Sequence, residues 1–188
     1  MRTLQVDQLT VCTAQSRQAM GQAAADDAAA YIRQLMARKA YISVVFAAAP
    51  SQNEFLAALA GSGLDFSRIH AYHMDEYLGL APDAPQGFGN FLRRAIFGRV
   101  AFGAVDYLNG QAEDPEAECR RYADLLASDP PDVVCMGIGE NGHIAFNDPE
   151  EADFHDAARV KVVTLDERCR MQQVHDGCFD CLEAVPRQ

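Results

Sequence analysis

Apolar residues recur at three- and four-residue steps from about residue 14 to 37, where Met20, Ala24, Ala28, Tyr31 and Leu35 stand in an Ala-rich run. That spacing predicts an amphipathic helix with this stripe inward. Tyr41-Ile-Ser-Val-Val-Phe46 follows, a short β-branched run that reads as a strand covered on both faces. Pro50 and Ser51 end it. Ser51-Gln52-Asn53-Glu54 has capping-box spacing ahead of Phe55, Leu56 and Leu59, the buried stripe of a second helix. The alternation continues with a strand near Arg68 to Met74, a helix near Asn90 to Phe97, and a helix opened by Asp114-Pro115 with Cys119, Tyr122 and Leu126 inward. Asp132 to Met136 is a third strand, stopped by glycines; Arg159 to Leu165 reads as a fourth, and helical pattern resumes at Asp166. Strands alternating with helices imply right-handed crossovers. The expected fold class is therefore α/β, a three-layer, mostly parallel, Rossmann-like sheet flanked by helices, with residues 1–188 as one domain.

Composition narrows the function. A chain of 188 residues, 49% apolar, buries enough surface to fold on packing alone, without disulfides or a structural metal. Its net charge of -11 gives a polyphosphate backbone no general reason to bind, so nucleic acid is excluded as an expected partner. An anionic ligand then needs a local device such as a helix N-terminus. The start, Met1-Arg-Thr-Leu-Gln-Val-Asp, is not a signal segment, and no apolar run reaches the roughly 18 residues of a membrane span. A cytoplasmic location with no membrane partner is expected, and the six cysteines are expected reduced. Cys178-Phe-Asp-Cys181 has redox or zinc spacing, but it is a lone pair.

In parallel sheets, ligands sit outside the carboxyl ends of the strands. That rule selects three loops: Ala47 to Ser51, Met74 to Leu80, and Gly137 to Pro149. Gly137-Ile-Gly139-Glu-Asn-Gly142 satisfies the dinucleotide pattern G-x-G-x-x-G, but that pattern has to open a helix. Asn147, Asp148 and Pro149 follow too soon for one. Two readings stand: a glycine turn with a surface histidine, or a ligand loop that presents His143 as an acid or base. In the second loop, Asp75 and Glu76 are adjacent carboxylates at a strand end, where burial can set one carboxyl's pKa for proton transfer. His70, His73 and Glu76 are poor metal ligands, because strand alternation sends His70 and His73 to opposite faces.

Met74-Asp-Glu-Tyr-Leu-Gly-Leu80 and Gly137-Ile-Gly-Glu-Asn-Gly-His-Ile-Ala-Phe-Asn-Asp-Pro149 together resemble the two signature loops of the glucosamine-6-phosphate deaminase/isomerase family. Leu108-Asn-Gly110 and Glu118-Cys-Arg-Arg-Tyr122 extend the resemblance over nearly the whole chain. The wider family includes 6-phosphogluconolactonases. The resemblance implies conversion of glucosamine 6-phosphate to fructose 6-phosphate and ammonia, with no metal or organic cofactor. By position, Asp75 would carry the proton from C2 to C1 and His143 would open the sugar ring. Asp148, Asn141 and Glu76 would support them, while Ser51, Ala47, Gly139 and Gly142 would hold the sugar phosphate. Lactone hydrolysis is the second reading, with His143 activating water and Asp75 dispensable. The third is sugar-phosphate binding without turnover.

The departures shape what to expect. Asn141 stands where the family has an aspartate, and Asp148 where it has a glutamate. A neutral amide stabilises imidazolium less than a carboxylate does, so Asp148 would have to compensate. Ala47-Ala-Ala49-Pro50-Ser51 replaces a glycine pair before a small hydroxyl residue, and proline removes one backbone donor. Ser51 fits both a phosphate ligand and a helix cap. Arg159-Val-Lys161 resembles an allosteric pair of bacterial deaminases and fits equally a solvated strand edge. Family members continue well past Val185-Pro186, so an incomplete sheet with an open edge is expected, and a second copy of the chain is a candidate partner, as a homo-oligomer.

Overall fold

Four parallel strands lie in the order β5-β4-β3-β6, in a computed structural model that describes residues 2–188. β3 (Ile42–Phe46) and β4 (Ile69–His73) form the centre, flanked by β5 (Ala104–Asp106) and β6 (Val133–Cys135). Every residue of β3 is buried, as its β-branched composition requires. Alternation sends Ile42, Val44 and Phe46 into one core with Ile69 and Ala71, and sends Val45 to the other face with Tyr72. α1 (Arg17–Met36), α2 (Asn53–Ala60) and α3 (Phe88–Leu92) pack into the first core. α4 (Pro115–Ser128) covers the second through Tyr122, Leu125 and Leu126. The sheet is thus flanked by helices on both faces, the expected α/β architecture.

The inward face of α1 is rotated by one residue from the expected stripe. Gly21, Ala25, Ala29 and Ile32 are buried, whereas Met20 and Tyr31 are 45% and 50% exposed. The cause is close approach to α2. A Cβ on Gly21 would lie 2.5 Å from Cβ of Glu54, so the smallest residues take the seam and the bulky ones turn outward. The expected capping box is also absent: Arg17 binds Glu54 through two bonds of 2.9 Å, and Ser51 Oγ accepts from Gln52 Nε2 at 3.3 Å. Gln52, at the N-cap of α2, makes no side-chain cap bond.

α3 continues as one π-helical stretch, Arg93–Phe97, so the helix expected near Asn90 to Phe97 is present with a widened second half. Residues 159–165 form no strand. Val160 packs onto the Val45, Tyr72 and Tyr122 cluster, and Lys161 is held by Asp156 at 2.9 Å and Glu151 at 3.5 Å. Packing over a sheet face satisfies the same apolar alternation as pairing within the sheet does. The fourth parallel strand is β5, three residues long and too short for a period to register. An antiparallel hairpin, β1 (Arg2–Val6) with β2 (Leu9–Thr13), precedes α1 and turns at Asp7, whose φ is 51°. α5 (Glu167–His175) begins where expected, with Asp166 accepting from Cys169 N–H at 2.6 Å. Among the described residues, no helix is long and apolar enough to cross a membrane.

Candidate active site

Because β3, β4 and β6 are parallel, the loops leaving Phe46, His73 and Cys135 emerge at one edge of the sheet. The Tyr107 to Gly110 turn after β5 joins them, tied in by Gly79 N–H donating to Gly110 C=O at 2.9 Å.

His73, the last residue of β4, is fully buried. Its Nδ1–H donates to Asp75 C=O at 2.9 Å, and its Nε2 accepts from Leu108 N–H at 2.9 Å. One donor and one acceptor facing the ring select the neutral Nδ1–H tautomer. Burial pushes the ring down to about 4, in the same sense. Tyr122 of α4 closes the other side, accepting from His73 N–H at 3.0 Å and donating to His73 C=O at 2.9 Å.

This clamp carries Asp75. Burial, and then the charge of Glu76, push the Asp75 carboxyl up to about 7. Such a group can both take and return a proton near neutral pH. Glu76 is placed differently. Its Oε1 accepts from Tyr77 N–H at 3.0 Å and Phe88 N–H at 2.9 Å, and its Oε2 accepts from Gly89 N–H at 2.9 Å. Burial raises its pKa against the pull of those three donors. Glu76 therefore fastens the Asp75 loop to the start of α3.

Residues 137–149 form a loop and open no helix, so the glycine pattern lacks dinucleotide geometry. Gly139 N–H donates to His143 C=O at 2.9 Å, and Gly142 turns the chain at φ 92°. The His143 ring lies against Gly139, where an added Cβ would overlap its Cε1 and both nitrogens. His143 Nδ1 is 3.2 Å from Asp148 Oδ1, with Asp148 1% exposed. The atoms are close enough for charge pairing yet misaligned for a hydrogen bond, leaving Nδ1 buried without a partner.

Asn141 does not replace the expected carboxylate beside the imidazole. Its amide donates to Asp148 Oδ1 at 2.7 Å and to Asp166 Oδ2 at 2.9 Å, while its Oδ1 accepts from His143 N–H at 3.1 Å. Asp148 Oδ2 in turn accepts from Asp166 N–H at 2.8 Å. Burial acts to raise the Asp166 carboxyl, but bonds from Cys169 N–H and Asn141 prevail and hold it below the usual range. Cys169, 1% exposed, completes the cluster: one ligand atom each from His143, Asp148 and Cys169 lies within 4.8 Å of the others. Burial first, then Asp148, keep its thiol protonated, and Asp75 contributes in the same direction. The thiol thus lies within electrostatic reach of Asp148, Asp166 and Asp75. Nothing in the local pattern around Cys169, Asp166 or His73 marks them as site residues. Only the parallel topology, which brings the start of α5 beside the glycine loop, does so.

A cavity of about 620 Å³ opens among these loops, lined by Asp75, Glu76, Asn109, Gly142, Asn147 and Arg159 among others. Of the residues expected to act together, Asp75, Glu76 and Gly142 share this lining, whereas His143, Asn141, Asp148, Gly139, Ala47 and Ser51 lie outside it. Ala47 is buried and donates its N–H to Cys135 C=O at 2.8 Å, so that donor is already taken. Ser51 is exposed, and its Oγ lies 3.9 Å from where a Cβ on Gly137 would stand.

Parallel strands, helices on both faces and a cavity among the loops at the carboxyl edge define a doubly wound α/β protein. The chain belongs to the family described as glucosamine-6-phosphate isomerases/6-phosphogluconolactonase, whose model matches residues 15–163. A glucosamine-6-phosphate deaminase from Exiguobacterium is 41% identical over 123 residues, covering 65% of this chain and 46% of that protein. One from Streptococcus sanguinis is 36% identical over 140 residues, covering 73% and 57%. The chain therefore spans about half the length of the curated relatives it matches. Among solved structures, a monomeric glucosamine-6-phosphate deaminase superposes with a TM-score of 0.82 at 30% identity, covering 93% of this chain and 71% of that one. A 6-phosphogluconolactonase from Thermotoga maritima gives 0.56 at 26% identity, covering 64% and 58%.

Proposed function

We propose that this chain carries the site of an amino-sugar-phosphate deaminase/isomerase, converting glucosamine 6-phosphate and water to fructose 6-phosphate and ammonia. The observation that carries the reading is Asp75, a carboxyl on the wall of the cavity and held near 7 by burial. Lactone hydrolysis gives Asp75 no obligatory part, because His143 would activate the water, whereas moving a proton from C2 to C1 requires a group that both takes and returns it. His143, backed by Asp148, opens the ring by giving a proton to the ring oxygen and taking one from the anomeric hydroxyl. Asp75 then removes the C2 proton and returns it to C1. Water adds to the resulting C2 iminium, and ammonia leaves. Gly142 and Asn147 contribute lining where the sugar would lie, and Glu76 and Asn141 act as positioning residues through Asp75 and Asp148.

The phosphate falls to Ser51 or to the cations beside the cavity, of which Arg159 is exposed and Lys161 is engaged by Asp156 and Glu151. A cytoplasmic setting and a sugar-phosphate ligand belong to the same reading. Lactone hydrolysis is the competing one, favoured by the His143 and Asp148 pairing alone. Release of ammonia and fructose 6-phosphate from glucosamine 6-phosphate, measured on the folded chain and on Asp75→Asn, decides between them. Turnover that vanishes in the variant is expected. Release of 6-phosphogluconate from its lactone by both proteins, without ammonia release by either, would overturn the proposal.

A further inference from the structure

We propose that His143, Asp148 and Cys169 form a binding site for a thiophilic divalent cation of the Zn²⁺ class, which on binding takes His143 out of proton transfer. The donor set is one imidazole nitrogen, one carboxylate oxygen and one sulfur, all within 4.8 Å of one another. Zinc bonds of about 2.0–2.3 Å place ligand atoms roughly 3.3–3.8 Å apart. His143 and Asp148 stand 3.2 Å apart, close to that spacing, and the sulfur lies within 4.8 Å of both. His143 Nδ1 is buried 3.2 Å from Asp148 Oδ1 and makes no hydrogen bond, which leaves that nitrogen available to a metal. Neutral imidazole with a thiolate is the ligand chemistry of zinc, and it disfavours magnesium and calcium.

Charge explains why the site is selective for a cation. A bare thiolate at Cys169 would add its charge beside Asp148 and Asp166. A dication reverses that sign. Binding releases the Cys169 proton to solvent and forms a sulfur–metal bond, so a 2+ ion meets one carboxylate, one thiolate and a neutral ring. Any Nδ1 proton moves to Nε2. Asp148 is already oriented by Asn141 Nδ2 at 2.7 Å and Asp166 N–H at 2.8 Å, as supporting bonds orient metal ligands elsewhere. Binding rests on this geometry alone, whereas inhibition rests on the proposed role of His143.

The test uses the whole chain with Co²⁺ as a spectroscopic probe and Zn²⁺ as the inhibitor. Cobalt is expected to give a sulfur-to-metal charge-transfer band in the near ultraviolet that Cys169→Ser abolishes and Cys181→Ser keeps. The reverse pattern, or no band, would overturn the proposal, because the Cys178 and Cys181 pair is the competing thiol source. X-ray absorption of the zinc-loaded unmutated protein supplies a readout that needs no variant. One sulfur with nitrogen and oxygen neighbours supports the site, and two sulfurs or none refute it. Zinc at one equivalent should lower ammonia release at least tenfold, reversibly by chelation, and leave Cys169→Ser at most twofold affected. A chain that turns over nothing yet gives the cobalt band retains the site and loses the deaminase reading.

Discussion

The side-chain amide of Asn141 donates to Asp148 at 2.7 Å, inside the buried cluster that holds His143. The same amide reaches Asp166 at 2.9 Å, so Asn141 separates two carboxylates that would otherwise repel. Restoring the aspartate of the family pattern would place a third carboxylate there. Asn141→Asp should therefore destabilise the fold by about 1–3 kcal/mol, from two acceptors losing their donor. For a chain of this size that is roughly 2–12 °C in Tm, readable in a circular dichroism melt. An unchanged Tm would mean that the bridge contributes nothing.

With Asp75 as the proposed base, activity and stability should respond to pH in opposite senses. Its carboxyl is raised to about 7 in the folded chain, against roughly 3.9 when unfolded. A raised carboxyl favours the folded state while protonated, so its contribution is fully present below the unfolded value and is lost as pH rises through about 7. Turnover through this proposed base needs the ionised form and should rise as pH passes through about 7. Asp75→Asn should abolish ammonia release while melting higher than the unmutated protein at pH 8 and alike at pH 4. A variant that melts lower at pH 8 would contradict the burial of this charge.

Much of the fold was legible because buried parallel strands are written as apolar runs, as in Ile42 to Phe46, and helix starts as caps, as at Asp114 and Asp166. Other features were not, among them the absent capping box at Ser51. β5 spans only Ala104 to Asp106, too short for a period. Residues 159–165 alternate like a strand, but Val160 packs with Val45, Tyr72 and Tyr122 while Val163 and Leu165 join the larger core. The face of α1 was misjudged because a helix seam closed by Gly21, Ala25 and Ala29 is invisible to a count that rewards large side chains. At the site, the glycine loop and Asp75 stood out by residue type. Asp166 and Cys169 did not, since they reach Asp148 only through tertiary contact.

His73 fixes the Asp75 loop through two partly buried bonds, and it does so only while neutral. Its pKa is lowered to about 4 against about 6.5 unfolded. The folded state therefore binds fewer protons between those values, and stability present above the unfolded value is lost as pH falls to about 4. His73→Phe fills the space but leaves Leu108 N–H and the Asp75 carbonyl unpaired, at about 1–3 kcal/mol each. Urea unfolding should show that loss at pH 7 and a smaller one at pH 5, because the variant has no ring to protonate. An equal loss at both would assign the clamp to packing alone.

Gly139 is where backbone and imidazole touch, and its substitution separates catalytic placement from general stability. A Cβ at this position would overlap the His143 ring. Overpacking of this kind costs about 1–3 kcal/mol, and relieving it moves the ring relative to the glycine loop. Gly63 supplies the comparison, at φ 72° with nothing within 4 Å of an added Cβ. Gly63→Ala should cost about 1–2 kcal/mol from the left-handed backbone and leave turnover per folded molecule unchanged. Gly139→Ala, at a similar loss of stability, should lower kcat at least tenfold, because His143 no longer stands where Asp148 can pair with it. Steady-state ammonia release beside urea unfolding of both variants checks this. Equal kcat in the two would show that His143 tolerates displacement and that ring opening does not depend on its contact with Asp148.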